Sequence, residues 1–542
     1  MRTSFVFLCL TLFLNRDLAA QETPPIPETI NDFSFNRFEL TLGPRPRQSI
    51  ITGFLSGNEL ADIAVIQLDE KRIPKLRIYS YRDTKWRLSK EHELPHTLSM
   101  VDVIRMGNHD RLLGYDSGKL VWVDAEPSDA DSPLDVPSMF KPPRSNEIPH
   151  VDMSKDLNAD GREDLVIPTL KGYWIAPQNQ DQSFAPPIYV GEQPNLEGIY
   201  GSDGYRYDPW AESQIHLTDF NHDGRSDLVY WSDGQFEVHH QTQDGRFATH
   251  PRNYPAPPII DTNKPHALAE GNMTGSLLQT MTDLNQDGTT DLVIMTLEGR
   301  SISRKRSRVQ IHYGRPSLQA ETEFLNKADV ILEKNDSIYI GCRLTDLDHT
   351  GTHGILLTSI PKANLTNSLW KQLKGLMGDD IRLTLDFHQS PLVNARSNYS
   401  RRIALDGFPS HREPGYVPLR LLLRGAKHVR RKTERVWPRA FNPTMLLGDV
   451  TGDGESDLLM SAHPKQLTTT AGIAGPSLFS EENHSIRVNM PDDGEYVWLT
   501  DLNQDQKKDI ILHRTFIERD AHGGRQHAPG TESQQLEILV AR

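Results

Sequence analysis

Polar and apolar residues alternate along several segments of the chain, among them SQIHLTDF (213–220) and YVWLTDLN (496–503). A period of two is that of a strand buried on one face. Each such segment enters a short acidic loop, which is followed by an apolar run such as DLVYW (227–231), a turn, and a further alternating run such as GQFEVHHQ (234–241). The pattern predicts a unit of strand, loop, strand, turn and strand. With 36 Pro and 37 Gly spread over 542 residues, and few long stretches of helical period, the punctuation predicts an all-β chain.

The unit recurs. DLNADGREDLVI starts at Asp156, DFNHDGRSDLVY at Asp219, DLNQDGTTDLVI at Asp283, DLDHTGTHGILL at Asp346, DVTGDGESDLLM at Asp449 and DLNQDQKKDIIL at Asp501. Subtracting the starting numbers gives spacings of 63, 64, 63, 103 and 52 residues, long enough for one supersecondary unit per copy. Two fainter copies, GFLSGNELADIAVI from Gly53 and DVIRMGNHDRLLGY from Asp102, keep the apolar strand and lose the acidic loop. A three- or four-stranded antiparallel unit cannot bury both its faces alone, and radial stacking of the eight copies closes a ring with little exposed edge. The expected fold is a single β-propeller over 46–542 with eight blades, or seven if the first copies pair with the C-terminal strand LEILVAR (536–542). Residues 21–45 are an extension available to complete the last blade. The spacing of 103 is read as a long insertion near 359–440 rather than a ninth, eroded blade near Asp406. It holds NSLWKQLKGLMGDD, a predicted short helix from about Asn367, and the strand-like runs IRLTLDFH, RIALDGFP and VPLRLLLRG.

The loops place oxygen at alternate residues. Calcium takes 6 to 8 hard oxygen ligands, and glycine at the sixth place permits the sharp turn that aims alternate side chains inward. In the Asp283 copy the expected ligands are Asp283, Asn285, Asp287 and Asp291, with the backbone carbonyl of Thr289 and Gly288 at the turn. The same places hold Asp156, Asn158, Asp160, Arg162 (carbonyl) and Asp164, and then Asp219, Asn221, Asp223, Arg225 (carbonyl) and Asp227. At Asp449 the set is Asp449, Thr451, Asp453, Glu455 (carbonyl) and Asp457. At Asp501 it is Asp501, Asn503, Asp505, Lys507 (carbonyl) and Asp509, with Gln506 in the glycine place, where positive φ is costly, so this site is expected to be weaker. The Asp346 copy loses two carboxylates to Thr350 and Gly354, keeps Asp346 and Asp348, and is expected to be vacant or weak. About four to five calcium sites follow. An EF-hand is excluded, because the twelfth residue is apolar (Ile167, Ile294) where that loop needs Glu, and strands replace the flanking helices. The plain alternative is that Asp, Asn and Gly simply make hairpin turns.

At these residues the chain resembles the FG-GAP or VCBS repeat family, the calcium-loop propellers typified by integrin α-subunit heads and many exported bacterial proteins. The resemblance runs from about Gly53 to the end and rests on the four full loops with the Asp501 copy. It implies that the loops are structural clips at one rim, that partners use the other face or the central channel, and that the protein binds or adheres rather than reacts.

Composition narrows the setting. The chain is 37% apolar and 24% charged, which is enough for a large core. Arg2, the apolar run Phe5 to Leu14 and the small residues Ala19 and Ala20 are built like a secretory signal peptide over 1–20, cut after Ala20; the run is too short to span a bilayer. Export without a transmembrane span is expected, whether secreted, periplasmic or at the cell surface, with an uncleaved anchor as the alternative. The mature chain then keeps Cys342 alone, since Cys9 leaves with the signal, and forms no internal disulfide. The formal net charge of −14 becomes −15 once Arg2, Arg16 and Asp17 are removed, which argues against nucleic acid and suits cations. Two basic stretches, RSISRKRSR (300–308) and the run from Arg424 to Arg439 around Trp437, are solvated loops or a landing site for an anionic polysaccharide or membrane surface. The sequons at Asn272, Asn335, Asn364, Asn398 and Asn483 matter only in a host that glycosylates.

Catalytic motifs are sparse. HELPH (92–96) has the letters of H-E-x-x-H, but Pro95 would fall inside the helix that a zinc pair needs, and the segment reads as a linker. There is no G-x-S-x-G, P-loop or C-x-x-C, and Cys342 reads as a buried thiol. The function expected is an exported, calcium-binding propeller that binds a protein or polysaccharide, with no enzyme activity. The alternative is a calcium-assisted, lyase-like enzyme acting on polysaccharide with its site assembled from several blades.

Overall fold

The second strand of each repeat is apolar at almost every position: Asp291–Glu298 and Gly354–Pro361 each bury seven successive residues. A strand without a polar face must be covered on both sides, and blades packed face to face around a ring provide that cover. The computed structural model describes residues 26–30, 33–43, 48–69, 71–124, 132–136, 148–168, 173–190, 215–232, 234–258, 275–299, 306–317, 321–347, 351–363, 381–390, 392, 397–405, 445–463, 465–475, 477–491, 497–517 and 532–542. Within them it is a β-propeller of eight antiparallel blades.

From inner to outer strand, blade one is Gln48–Gly53, Asp62–Leu68, Pro74–Arg82 and Lys85–Glu93, and blade two is Leu98–Met106, His109–Asp116, Lys119–Trp122 and Leu134–Asp135. Blade three is Ser154–Lys155, Asp164–Pro168, Tyr173–Ala176 and Ile188–Val190; blade four is His216–Thr218, Asp227–Ser232, Gln235–His239 and Arg252–Pro255. Blade five is Gly275–Thr282, Asp291–Glu298, Arg306–His312 and Val330–Glu333, with a small hairpin, Arg315–Pro316 and Thr322–Glu323, added after its third strand. Blade six is Ser337–Thr345, Gly354–Pro361, Ile381–His388 and Tyr399–Leu405, and blade seven is Met445–Gly448, Asp457–His463, Gln466–Thr470 and His484–Arg487. Among the described residues the range 359–440 holds the two outer strands of blade six, while Asp406 and the stretch that follows it to 444 lie outside the described residues. The expected helix near Asn367, the run VPLRLLLRG and the basic stretch from Arg424 to Arg439 lie outside the described residues, as do residues 1–25.

Blade eight joins the two ends of the chain. Val497–Thr500, Asp509–Ile517 and Glu532–Ala541 come from the C-terminus, and Phe33–Gly43 pairs along the last of these from Phe35 with Ala541 to Gly43 with Gln534. Ile26–Ile30 adds a fifth, outermost strand. Arg37 crosses this seam to Glu537 at 3.0 Å, and Glu537 is almost fully buried. Burial raises its carboxyl pKa, while the neighbouring Arg37 and Arg514 guanidinium groups pull it back down.

The core lies between blades rather than within them. Leu284, Val293 and Val309 of blade five share a cluster with Ile338, Ile355 and Leu383 of blade six. Ile51 and Ala64 of blade one likewise pack with Val101 and Leu112 of blade two. The faint copy at Asp102 keeps its apolar strand and has no acidic loop. Leu98–Met106 continues through it and turns at once into His109–Asp116, so Asp102 is a buried strand residue, bonded to His150 at 3.0 Å and to the Met153 N–H at 2.7 Å, and not the head of a loop.

Candidate metal centres

The five acidic loops join first to second strands at one rim of blades three, four, five, seven and eight, and they share one backbone path. The sixth place has positive φ in all of them: Gly161 at 82°, Gly224 at 83°, Gly288 at 82°, Gly454 at 89° and Gln506 at 72°. The last of these carries the strain expected of a side chain in that conformation. The fourth place is also left-handed, and there only Gly452 is glycine; Ala159, His222, Gln286 and Gln504 have φ of 58°, 59°, 59° and 58°.

This path folds each loop around its first aspartate. Asp156 accepts the Asp160 and Gly161 N–H groups at 3.2 and 2.9 Å, Asp219 those of Asp223 and Gly224 at 3.0 and 2.8 Å, and Asp283 those of Asp287 and Gly288 at 3.2 and 2.8 Å. Asp449 accepts Gly454 at 2.9 Å, and Asp501 accepts Gln506 at 3.0 Å. Asn158, Asn221, Asn285 and Asn503 each take the N–H of the fifth residue, and Asp160, Asp223, Asp287, Asp453 and Asp505 each take that of the seventh. These oxygens face solvent and keep lone pairs beyond the one each bond uses.

The ninth place differs. Asp164, Asp227, Asp291, Asp457 and Asp509 are fully buried. One oxygen of each takes the N–H of the second loop residue, and the other takes an N–H at the end of the third strand or just beyond it. For Asp164 the donors are Leu157 at 3.1 Å and Gln178 at 2.7 Å; for Asp509 they are Leu502 at 2.7 Å and Ala541 at 2.8 Å. Blade one keeps this residue without the acidic places: Asp62, also fully buried, accepts the Ser56 N–H at 2.7 Å and its hydroxyl at 2.8 Å. The ninth aspartate thus pins loop to strand whether or not a cation is bound. Burial first, and the carboxylates around it second, push Asp164 and Asp509 up to about 7 and Asp291 and Asp457 up to about 6, against backbone N–H bonds that lower them.

The donor set of the first, third, fifth and ninth places is all oxygen and fits a hard cation. Among the described residues, however, no three His, Cys, Asp or Glu side chains converge into a closed metal cluster. In two loops the seventh residue bears on this: Arg162 and Arg225 fold their guanidinium groups onto Asp160 and Asp223 while Nε reaches the Gln178 and Gln241 carbonyls at 3.0 and 3.2 Å. An arginine so placed supplies positive charge to the loop and must yield its carboxylate to an incoming ion. In blade six, a Cβ on Gly354 would lie 2.3 Å from the Phe387 ring, so an apolar ring stands where the ninth carboxylate lies elsewhere; Asp348 and Thr350 lie outside the described residues.

Two other expectations resolve simply. His92 and Glu93 close the strand Lys85–Glu93, with His92 Nε2 2.9 Å from the Val123 carbonyl, and 94–97 connect it to Leu98–Met106, so HELPH is a strand end and the linker between blades one and two, not a helix. Cys342 is buried, and desolvation pushes its thiol up to about 12. Sequence reasoning missed a polar chain beside the acidic loop of blade four. His240 Nδ1 lies 3.0 Å from Asp227, its Nε2 lies 3.3 Å from the Tyr254 hydroxyl, and Tyr254 meets Arg252 and Glu321, which pair at 3.0 Å. Glu321 arrives from the small hairpin of blade five, so the chain clasps two blades. Its members are too far apart in sequence to form a motif.

No protein-family model and no curated protein matches the chain. Among solved structures it is similar to a Photorhabdus luminescens Tc holotoxin pore at 14% identity and TM-score 0.28, covering 88% of this chain and 18% of that one, so the chain spans under a fifth of that relative's length. It is also similar to an Agrocybe aegerita lectin (12% identity, TM-score 0.32, 82% and 96% covered) and to the WD40 domain of SCAP from fission yeast (9%, 0.30, 92% and 97%). Likenesses this distant leave the fold to rest on the strand topology itself.

Proposed function

We propose that the protein is an exported, calcium-binding propeller of the FG-GAP or VCBS type whose work is to bind a protein or polysaccharide rather than to catalyse. The observation that carries this is five loops with one backbone and one oxygen set on a single rim. First- and fifth-place carboxylates at each loop mouth repel one another until a cation arrives, and an ion that binds only the folded chain stabilises it. The loop chemistry in this account supplies rigidity, and recognition falls to the other rim. Support for that division lies in the connections. The longest connections between described strands, from Asp135 to Ser154, Val190 to His216, Pro255 to Gly275, Pro361 to Ile381, Leu405 to Met445 and Ile517 to Glu532, all join strand ends at the rim opposite the loops. Connections of that length on a rigid scaffold are where binding residues concentrate.

Melting the chain from Gln21 onward in chelator and across a calcium titration, with magnesium as control, tests the metal. Each site at 100 times its dissociation constant adds about 2.7 kcal/mol, so several sites raise the melt by many degrees. A melt indifferent to calcium leaves the loops as hairpin turns. With calcium present, acidic and neutral polysaccharides retained intact favour a binding module, whereas shortened chains with unsaturated ends identify a lyase.

A further inference from the structure

The loops are not independent. Around the rim, each is hydrogen-bonded to the next blade by groups at recurring places. The Leu502 carbonyl of blade eight takes the Ala61 N–H of blade one at 2.6 Å, and Phe54 of blade one exchanges bonds with Asp110 of blade two at 2.7 and 3.1 Å. Glu163 of blade three accepts the Arg105 N–H of blade two at 2.6 Å. Gln241 of blade four donates to the Asn158 carbonyl at 3.2 Å, and the Asn158 amide donates back to the Gly245 carbonyl at 3.1 Å. Thr290 of blade five donates to the Asp219 carbonyl at 3.2 Å, and the Lys508 N–H of blade eight to the Asp449 carbonyl at 2.6 Å. Ala61, Glu163, Thr290 and Lys508 all precede the ninth aspartate of their own loops, so one place does the same task in four blades. Between blades six and seven the described link lies further out, where Arg401 donates to the Ser480 carbonyl at 3.0 Å and to Asn483 at 2.9 Å.

Two side chains in this belt reach directly to the following loop, and one of them, His222, also brings its Nε2 to 3.3 Å from the Thr322 hydroxyl of the small hairpin of blade five. His222 and Gln286 occupy the strained fourth place, and each reaches forward to the sixth-place carbonyl of the following loop: His222 Nδ1 donates to the Gly288 oxygen at 2.8 Å, and Gln286 Nε2 to the Gly351 oxygen at 3.2 Å. A left-handed side-chain residue costs energy that glycine would avoid, and blade seven does use Gly452 there. In blades four and five the strained conformer aims a donor at the turn residue on which the next loop depends.

We propose that the rim is a coupled collar, in which His222 and Gln286 are latches that transmit the order of one loop to the loop of the next blade. The coupling stands on hydrogen bonds alone and does not depend on the calcium assignment. Where cations bind, it joins the loops of blades three, four and five into one run and those of seven and eight into another.

The test is hydrogen exchange on the full chain in chelator. His222→Ala is expected to speed exchange of the 283–291 amides at least threefold, across a blade boundary, while Ala159→Gly, which removes strain but no latch, changes only its own loop. His222→Gln places at this position the residue that blade five already uses, and is expected to restore wild-type rates. Gln286→Ala should loosen Gly351 and its neighbours in the same way, and it decides the matter if His222→Ala lowers the melt of the whole chain. Changes confined to 219–227 in His222→Ala, or no recovery in His222→Gln, overturn the proposal. Because calcium is absent throughout, failure here leaves the metal assignment standing, and failure of the calcium titration leaves the collar standing.

Discussion

A chain that begins at residue 44, lacking Ile26–Ile30 and Phe33–Gly43, is expected to lose its cooperative fold. The segment is far from the acidic loops in sequence, yet it supplies the fourth and fifth strands of blade eight. Phe33, Phe35, Phe38, Leu40 and Leu42 are all at most 5% exposed, and they enter two clusters, one shared with blade one and one with blade seven. At about 1.5–3 kcal/mol for each large apolar side chain buried, their removal forfeits on the order of 10 kcal/mol. Domains hold only about 5–15 kcal/mol in total. The loss also bares the edge of Glu532–Ala541, an unpaired strand that recruits other chains. Circular dichroism and size-exclusion chromatography of the truncated chain should show no cooperative melt and soluble aggregates, and a peptide of residues 26–43 added in trans should restore the ring. A truncated monomer melting within a few degrees of the full chain would mean that the seam contributes little.

The propeller was legible because its determinants are local and repeated. An apolar second strand behind Asp-x-Asn-x-Asp-Gly can be read without knowing what lies beside it, and three such copies with two single-residue variants at Asp449 and Asp501 fix the blade. Where the determinant is a neighbour, the sequence was silent. Asp102 looks like a worn loop head, but it sits mid-strand because His150 and Met153, from the chain entering blade three, take both its oxygens. Tyr399–Leu405 looks like part of an insertion because its pairing partner, Ile381–His388, follows a long connection. His222 and Gln286 occupy the variable fourth place of the repeat, and their partners belong to the next copy. The loop aspartates were legible as a set. Their division into exposed and buried members was not, since a strand residue and a loop residue share one letter and differ only in what covers them.

That division sets the second large effect. Asp164→Ala or Asp509→Ala is expected to cost about 2–6 kcal/mol in chelator, where no ion is at stake, because each leaves two buried backbone N–H groups without an acceptor at about 1–3 kcal/mol apiece. Asparagine at either position should cost roughly half as much, since it keeps one acceptor oxygen and turns an amide donor toward the second N–H. Asp505→Ala removes an acceptor from an exposed turn, where water replaces it, and should scarcely move the melt in chelator; Asp287→Ala also removes an exposed carboxylate, but its partner is the N–H of buried Thr289, so it should cost somewhat more and still less than either ninth-place variant. In calcium the ranking changes. The exposed variants should then lose their own loop's share of the ion-dependent rise, while Asp164→Ala stays low with or without the ion. Chelator and calcium melts of the four variants therefore separate two roles within one nine-residue pattern. If Asp164→Ala melts like wild type in chelator, the ninth place is not the strand pin that its hydrogen bonds describe. If Asp287→Ala retains the full calcium response, the exposed oxygens are turn formers and the ligand role falls.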